Sequence, residues 1–133
     1  MPALYQYLYV SIMAPQSSPT CVGEIVRSAR AFNAHHSITG LLVFDGWRFC
    51  QYLEGPEREV EDLVGRIARD PRHHRFRALY ACIGEGPRRF PNWGLGYGLA
   101  ESSLEPLEDA HGIAALEAFL AIVPTLDLAP DRQ

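Results

Sequence analysis

ITGLLVF, residues 38–44, and WRFCQYLE, residues 47–54, are two strand-like runs joined by Asp45-Gly46, and Gly55-Pro56 closes the second. A two-residue Asp-Gly loop favours a tight type I′ hairpin. It predicts that Phe44 opposes Trp47, Leu42 opposes Phe49, Gly40 opposes Gln51 and Ile38 opposes Leu53. Opposed residues share a sheet face, so one face carries Ile38, Leu42, Phe44, Trp47, Phe49 and Leu53, with Gly40 and Gln51. This is the more apolar face, the one a helix layer covers. Gln51 is then a polar side chain in the core, opposite a residue with no side chain. A buried amide needs partners for its oxygen and both N–H groups. The space over Gly40 is therefore expected to receive a protein group or a flat ligand.

Outward from the hairpin, Leu4 to Ser11 reads as a strand in which Leu4, Leu8 and Val10 alternate with Tyr5, Tyr7 and Tyr9. Ser17-Ser18-Pro19 predicts a helix start capped by Ser18. The helix runs to about His35 with Val22, Ile25, Val26, Ala29 and Phe32 along its apolar stripe, and Asn33 falls on the same side. A second helix is expected from about Glu57 to Arg69, with Val60, Leu63, Val64 and Ile67 at helical spacing. Asp70-Pro71 stops it, because the residue before proline is pushed out of the helical region. Phe76 to Gly84 reads as a fourth strand and Trp93 to Leu99 as a short fifth. The order predicts an α+β fold, a ferredoxin-like β-α-β-β-α-β-β sandwich. Two helices lie over a mixed, mostly antiparallel five-stranded sheet, and a C-terminal helical region follows. From Leu104 to Val123 the apolar stripe is Ile113, Leu116, Leu120 and Val123, which has to cover the sheet's other face or meet a partner.

The chain has 133 residues, 47% of them hydrophobic, with 12 basic against 16 acidic side chains. That is one domain with a sizeable core. All the basic residues are arginine, which excludes a Schiff-base lysine and the lysine of a phosphate-binding GxxxxGK[ST] loop. A net charge of −4 argues against a nucleic-acid partner. No apolar run approaches the ~18 residues of a membrane span, and Met1 to Tyr9 lacks the pattern of a signal peptide. The expected location is cytoplasmic. Cys21, Cys50 and Cys82 are too few and scattered for a disulfide framework or zinc site, and each reads as a small buried hydrophobe. The pairs His35-His36 and His73-His74 have no carboxylate at ligand spacing, so no metal is expected.

Five segments taken together resemble the BLUF domain, a flavin-binding blue-light sensor: LYVS at 8–11, FNAHHSITGLLVF at 32–44, FCQYLEGP at 49–56, RIARDPRHH at 66–74 and RRFPNWGLG at 88–96. The resemblance covers about Ala3 to Gly98. It implies a flavin-binding domain over residues 1–100 and a C-terminal helical extension and tail over 101–133. It also implies a non-covalent FAD, with FMN or riboflavin as alternatives, lying between the two helices and the sheet. Under the resemblance Tyr9 is the photoactive tyrosine and Gln51 the signalling glutamine. Asn33 bonds the flavin's carbonyl and N3 edge, and Ile25 packs on the ring. Arg66, Asp70 and His73 line the flavin and its ribityl-phosphate end, and Trp93 with Leu95 relays the signal.

The implied chemistry is electron and then proton donation by Tyr9 through Gln51. It leaves the glutamine reoriented or tautomerised, with a new bond to the flavin C4 carbonyl and a small red shift. Two residues depart from the family pattern. Phe32 stands where a second Asn or a His is common, which replaces a hydrogen bond with stacking. Leu95 stands where Met is usual, which touches output coupling or the lifetime of the lit state. The expected role is a photosensor without catalytic output, acting through an unknown partner or a homo-oligomer. The competing reading is a small ferredoxin-like enzyme, of the cofactor-independent monooxygenase type, using the same helix–sheet cleft.

Overall fold

The computed structural model describes residues 3–18, 20–98 and 103–128. Strand β1 spans Leu4–Met13, helix α1 Cys21–His35, β2 Thr39–Phe44, β3 Arg48–Gly55, helix α2 Glu57–Ala68, β4 His73–Gly84 and β5 Trp93–Tyr97. A short 3-10 turn at Glu105–Leu107 leads into helix α3, Gly112–Ile122, and a two-residue strand β6, Asp127–Leu128. The sheet order is β4-β1-β3-β2-β5-β6, antiparallel throughout except for the β2–β5 pair. This is the expected ferredoxin-like α+β sandwich, with β6 added as a sixth strand at the β5 edge.

The hairpin register differs from the expected one by two residues. Phe44 opposes Phe49, Leu42 opposes Gln51 and Gly40 opposes Leu53. The reason is local: Asp45 is the first residue of the turn, not one of its two tip residues. Its carboxylate Oδ1 accepts the backbone N–H of Trp47 at 3.2 Å and of Arg48 at 2.8 Å, and its own N–H donates to the Arg48 carbonyl. Such an Asx arrangement is what aspartate favours in turns. Gly46, with φ of 110°, and Trp47 form the tip, and Trp47 is exposed rather than in the apolar face. Because a two-residue slip preserves side-chain parity, Ile38, Leu42, Phe44, Phe49 and Leu53 still share the core with α1 and α2.

Gly40 is required for a different reason from the one expected. A Cβ there would lie 1.9 Å from the Tyr52 carbonyl oxygen, and its φ is 152°. Other elements start or stop away from the expected points. Helix α1 begins at Cys21, with Thr20 at its N-cap and no side-chain cap bond, so Ser18 does not cap it; Pro19 lies outside the described residues. Strand β4 starts three residues earlier, at His73, and β5 ends at Tyr97, Leu99 being outside the described residues.

The reverse face is covered, as expected, by the C-terminal region, though through another stripe. Ala115, Leu116, Phe119 and Ile122 of α3 pack on Leu8, Leu41, Val43, Cys50, Tyr52 and Leu79, while Ile113 is 64% exposed. Helix α3 is apolar on nearly every side, so spacing alone leaves its inward face ambiguous. Cys21 and Cys50 are buried, whereas Cys82 is exposed on β4. Among the described residues no helix is long and apolar enough to cross a membrane.

Candidate functional site

Between α1, α2 and the sheet lies a cavity of about 350 Å³, within the range of small-molecule sites. Its walls include Tyr9, Ile25, Phe32, Asn33, Gln51, Arg66, Asp70 and His73, so eight residues singled out from the sequence meet at one place. Ser28, Ala29, Leu42, Leu63, Ile67 and Arg72 complete the lining. Trp93 and Leu95 are buried in the same core, next to the cavity rather than in its lining.

One rung of the sheet organises the polar wall. Tyr9 pairs with Gln51 across β1 and β3, Gln51 with Leu42 across β3 and β2, and Leu42 with Leu95 across β2 and β5. The Gln51 Nε2 donates to the Tyr9 hydroxyl oxygen at 2.6 Å, and the Trp93 indole Nε1 donates to Gln51 Oε1 at 2.8 Å. Indole nitrogen can only donate, so it dictates which end of the amide is oxygen and leaves the NH₂ end toward Tyr9. Trp93 sits opposite Gly40 in the parallel ladder. Gly40 opposes Leu53 rather than Gln51, and a Cβ on it would meet the backbone of β3, so the expected open space above Gly40 facing Gln51 is not present. The loop leading to Trp93 is anchored by the buried Glu54 carboxylate. It accepts the Phe90 N–H at 2.7 Å and the Tyr52 hydroxyl at 3.2 Å.

The phenol of Tyr9 is fully enclosed, and burial raises its pKa well above the ordinary 10.0, the Gln51 hydrogen bond offsetting only part of that. Its proton is thus held firmly unless the phenol is oxidised. Asn33, near the end of α1, is 0% exposed, and neither its Oδ1 nor its Nδ2 meets a hydrogen-bond partner among the described residues. Each unmade bond of this kind costs about 1–3 kcal/mol. An orphaned acceptor and donor side by side match the edge of a heteroaromatic ring that offers one of each.

The remaining polar residues form a second cluster in the cavity wall. Asp70 is half-buried and held by Arg72: Nη2 to Oδ2 at 2.6 Å, Nε to Oδ1 at 3.0 Å and the backbone N–H to Oδ1 at 2.9 Å. Burial alone would raise the Asp70 pKa, but these bonds outweigh it and hold the carboxyl below its ordinary 3.8. His73 Nδ1 lies 2.8 Å from Ser11 Oγ. Burial and nearby Arg72 lower its pKa from 6.5 against the opposing pull of Asp70, so the ring is neutral at pH 7. Phe32 is stacked between the His36 ring, 4.1 Å away, and the Arg66 guanidinium, 4.5 Å away. Arg66 is otherwise on the exposed side of α2. Sequence reasoning missed Arg72 and Ser11. The Asp-Pro-Arg spacing, an aspartate bonding two residues on, was a usable signal for Arg72, whereas Ser11 carried none.

Residues 4–96 match a family model described as BLUF, sensors of blue light using FAD. The blue light- and temperature-regulated antirepressor BluF of Escherichia coli (strain K12) is 38% identical over 74 residues, which are 56% of this chain and 18% of that protein. The photoactivated adenylate cyclase subunit beta of Euglena gracilis is 42% identical over 121 residues, 84% of this chain and 14% of that one. The chain thus spans less than a fifth of these curated relatives. Among solved structures, the dark state of BlrB, a BLUF protein, superposes with a TM-score of 0.72 at 26% identity, covering 92% of this chain and 96% of that one. None of these similarities supports the enzyme reading.

Proposed function

This chain belongs to the BLUF family of flavin-using blue-light sensors, and from that premise we propose that it binds FAD in the 350 Å³ cavity and senses light through Tyr9, Gln51 and Trp93. The observation that carries the assignment is the continuous hydrogen-bonded chain from phenol to amide to indole beside the orphaned amide of Asn33. The residues fit a flavin: Asn33 would meet the polar edge of the ring, and Ile25, Leu42, Leu63 and Ile67 would supply apolar walls. Arg66, Arg72 and His73 would hold the ribityl-phosphate end, which favours FAD over riboflavin. A bound flavin would supply a blue-light absorber and electron acceptor, and Tyr9 would be the neighbouring phenol that donates.

The rest follows from the donors and acceptors of the chain itself. An oxidised Tyr9 must release its proton, and burial denies it water. In the resting arrangement Gln51 presents N–H groups to the phenol, which cannot accept that proton. If the amide turns rather than tautomerises, Oε1 comes to Tyr9, where it can take up the proton, and Nε2 to Trp93; electron and proton would both return to Tyr9 when the radical pair recombines. Two donors then face each other, because the indole cannot accept, and the Trp93–Gln51 bond breaks. Trp93 is the first residue of β5, so amide orientation becomes strand position. Leu95, on the same rung as Gln51, is proposed to feel the same displacement.

In this reading the protein is a photosensor rather than an enzyme, with residues 1–100 as the sensing domain and 101–133 as its extension. Output goes to a partner or a second copy through α3. Absorption spectra in darkness and after blue light test the assignment. A flavin spectrum that shifts red and recovers supports it, and an unshifted or absent flavin overturns it. Reverse-phase separation of the released cofactor distinguishes FAD from FMN and riboflavin. Hydrogen exchange over residues 104–123 is expected to differ between dark and light, and equal protection in both removes α3 from the output path.

A further inference from the structure

Tyr9 is held at its hydroxyl end by Gln51, but a ring is also located by what touches its face. The ring of Phe76 is stacked on that of Tyr9, centroids 4.8 Å apart and planes 25° from parallel. Strand β4 is the last in the sheet among the described residues, and β1 lies next to it. Tyr9 is therefore one strand from an open edge, yet 1% exposed. Its direct cross-strand neighbour is Ala78, an exposed residue whose methyl cannot cover a phenol. The cover comes from the diagonal neighbour, a distance aromatic side chains can bridge. The backbone beside Phe76 is irregular. Val10 pairs with Arg77 but Ile12 with His74, so Arg75 and Phe76 both stand against Ser11. Arg75 adopts a φ of 54°, in the left-handed region that arginine seldom enters. Bulges of this kind re-aim side chains beside active sites.

We propose that Phe76 is a positioning residue for the photochemistry: stacked on Tyr9, it restrains rotation of the phenol and keeps its hydroxyl on Gln51. This rests on the light-sensing reading given above. Among the described residues Phe76 is not part of the cavity lining, so its loss should leave flavin content intact. A stacked pair of this kind contributes an amount that corresponds to about two- to tenfold in a rate.

The test uses the flavin-loaded full chain with isotope-labelled tyrosine. In Phe76→Leu the Tyr9 ring flips, read by NMR in the dark, should be about two- to tenfold faster, and thermal return from the lit state should accelerate by a similar factor. Phe76→Tyr keeps the ring and should restore both rates. Phe119→Leu, which thins the core on the opposite face, should lower the melting temperature without changing either. Unchanged ring flips in Phe76→Leu, or an equal change in Phe119→Leu, overturns the proposal. A parent protein whose absorption does not shift with blue light fails the light-sensing reading instead, and the ring-flip comparison still decides whether Phe76 clamps Tyr9.

Discussion

On the α3 side of the sheet, Leu8, Leu41, Val43, Cys50 and Tyr52 close on Leu116, Phe119 and Ile122 as a mainly apolar layer, its Tyr52 hydroxyl bonded to Glu54. On the α1/α2 side, the same strands turn Tyr9 and Gln51 toward a cavity, and α1 sends down an Asn33 amide without a hydrogen-bond partner among the described residues. Alternation along β1 and β3 sorts the residues between these two layers, so neighbouring positions belong to different physical regimes. One face is closed by the polypeptide itself. On the other, the Asn33 amide has no partner among the described residues, and the proposed flavin would supply one.

The contrast is sharpened most strongly by Gln51→Leu and Tyr9→Phe. Each is expected to leave the protein yellow but to abolish the red shift, read by light-minus-dark absorption. A normal shift in both variants would break the assignment of that face as the photochemical one. Next in size, Phe119→Ala on the α3 face should cost about 3–5 kcal/mol in denaturant unfolding, with the shift retained wherever the protein stays folded. Asn33→Leu should do the opposite: with the flavin stripped, the protein should gain at least about 2 kcal/mol because two orphaned atoms are gone, while flavin affinity falls. Destabilisation of the stripped protein would show that Asn33 already had its partners.

The smallest effect is a pH dependence confined to the cavity face. His73 has its pKa lowered by burial from 6.5, so the unfolded chain binds the proton more readily. Stability is therefore full above pH 6.5 and declines as pH falls through the folded value. Asp70, also lowered, from 3.8, adds a further loss below that pH. His73→Gln should remove the first decline and keep the second, as followed by unfolding at pH 7.5, 6, 5 and 3.5.

Which residues face which layer was readable from the hairpin alone, because parity survived the two-residue error in its register. Burial of Gln51 and Asn33 was readable for the same reason: polar side chains at apolar positions. The bond from Trp93 to Gln51 was not readable, since it depends on β5 lying parallel to β2, a long-range pairing that no local pattern encodes. Choosing Tyr9 over Tyr7 needed the resemblance. Both share a face, and only the position of the rung along the sheet separates a fully buried phenol from a half-buried one. In α3, where almost every residue is apolar, Phe119 lay outside the expected stripe because periodicity carries little information when there is no polar side to contrast with.

The C-terminal segment has a geometric property of its own. Helix α3 packs against β4 at one edge of the sheet, and β6 pairs with β5 near the other. Residues 112–128 thus span β4 to β5, four interstrand gaps or about 19 Å at the usual spacing. The segment is seated on β1, β2 and β3 as well as β4, and its far end is tied to β5. Sliding β5 relative to β4 must stretch, slacken or unseat it. Under the proposed light-sensing reading, such a segment would respond to a shift of β5 without touching the cavity.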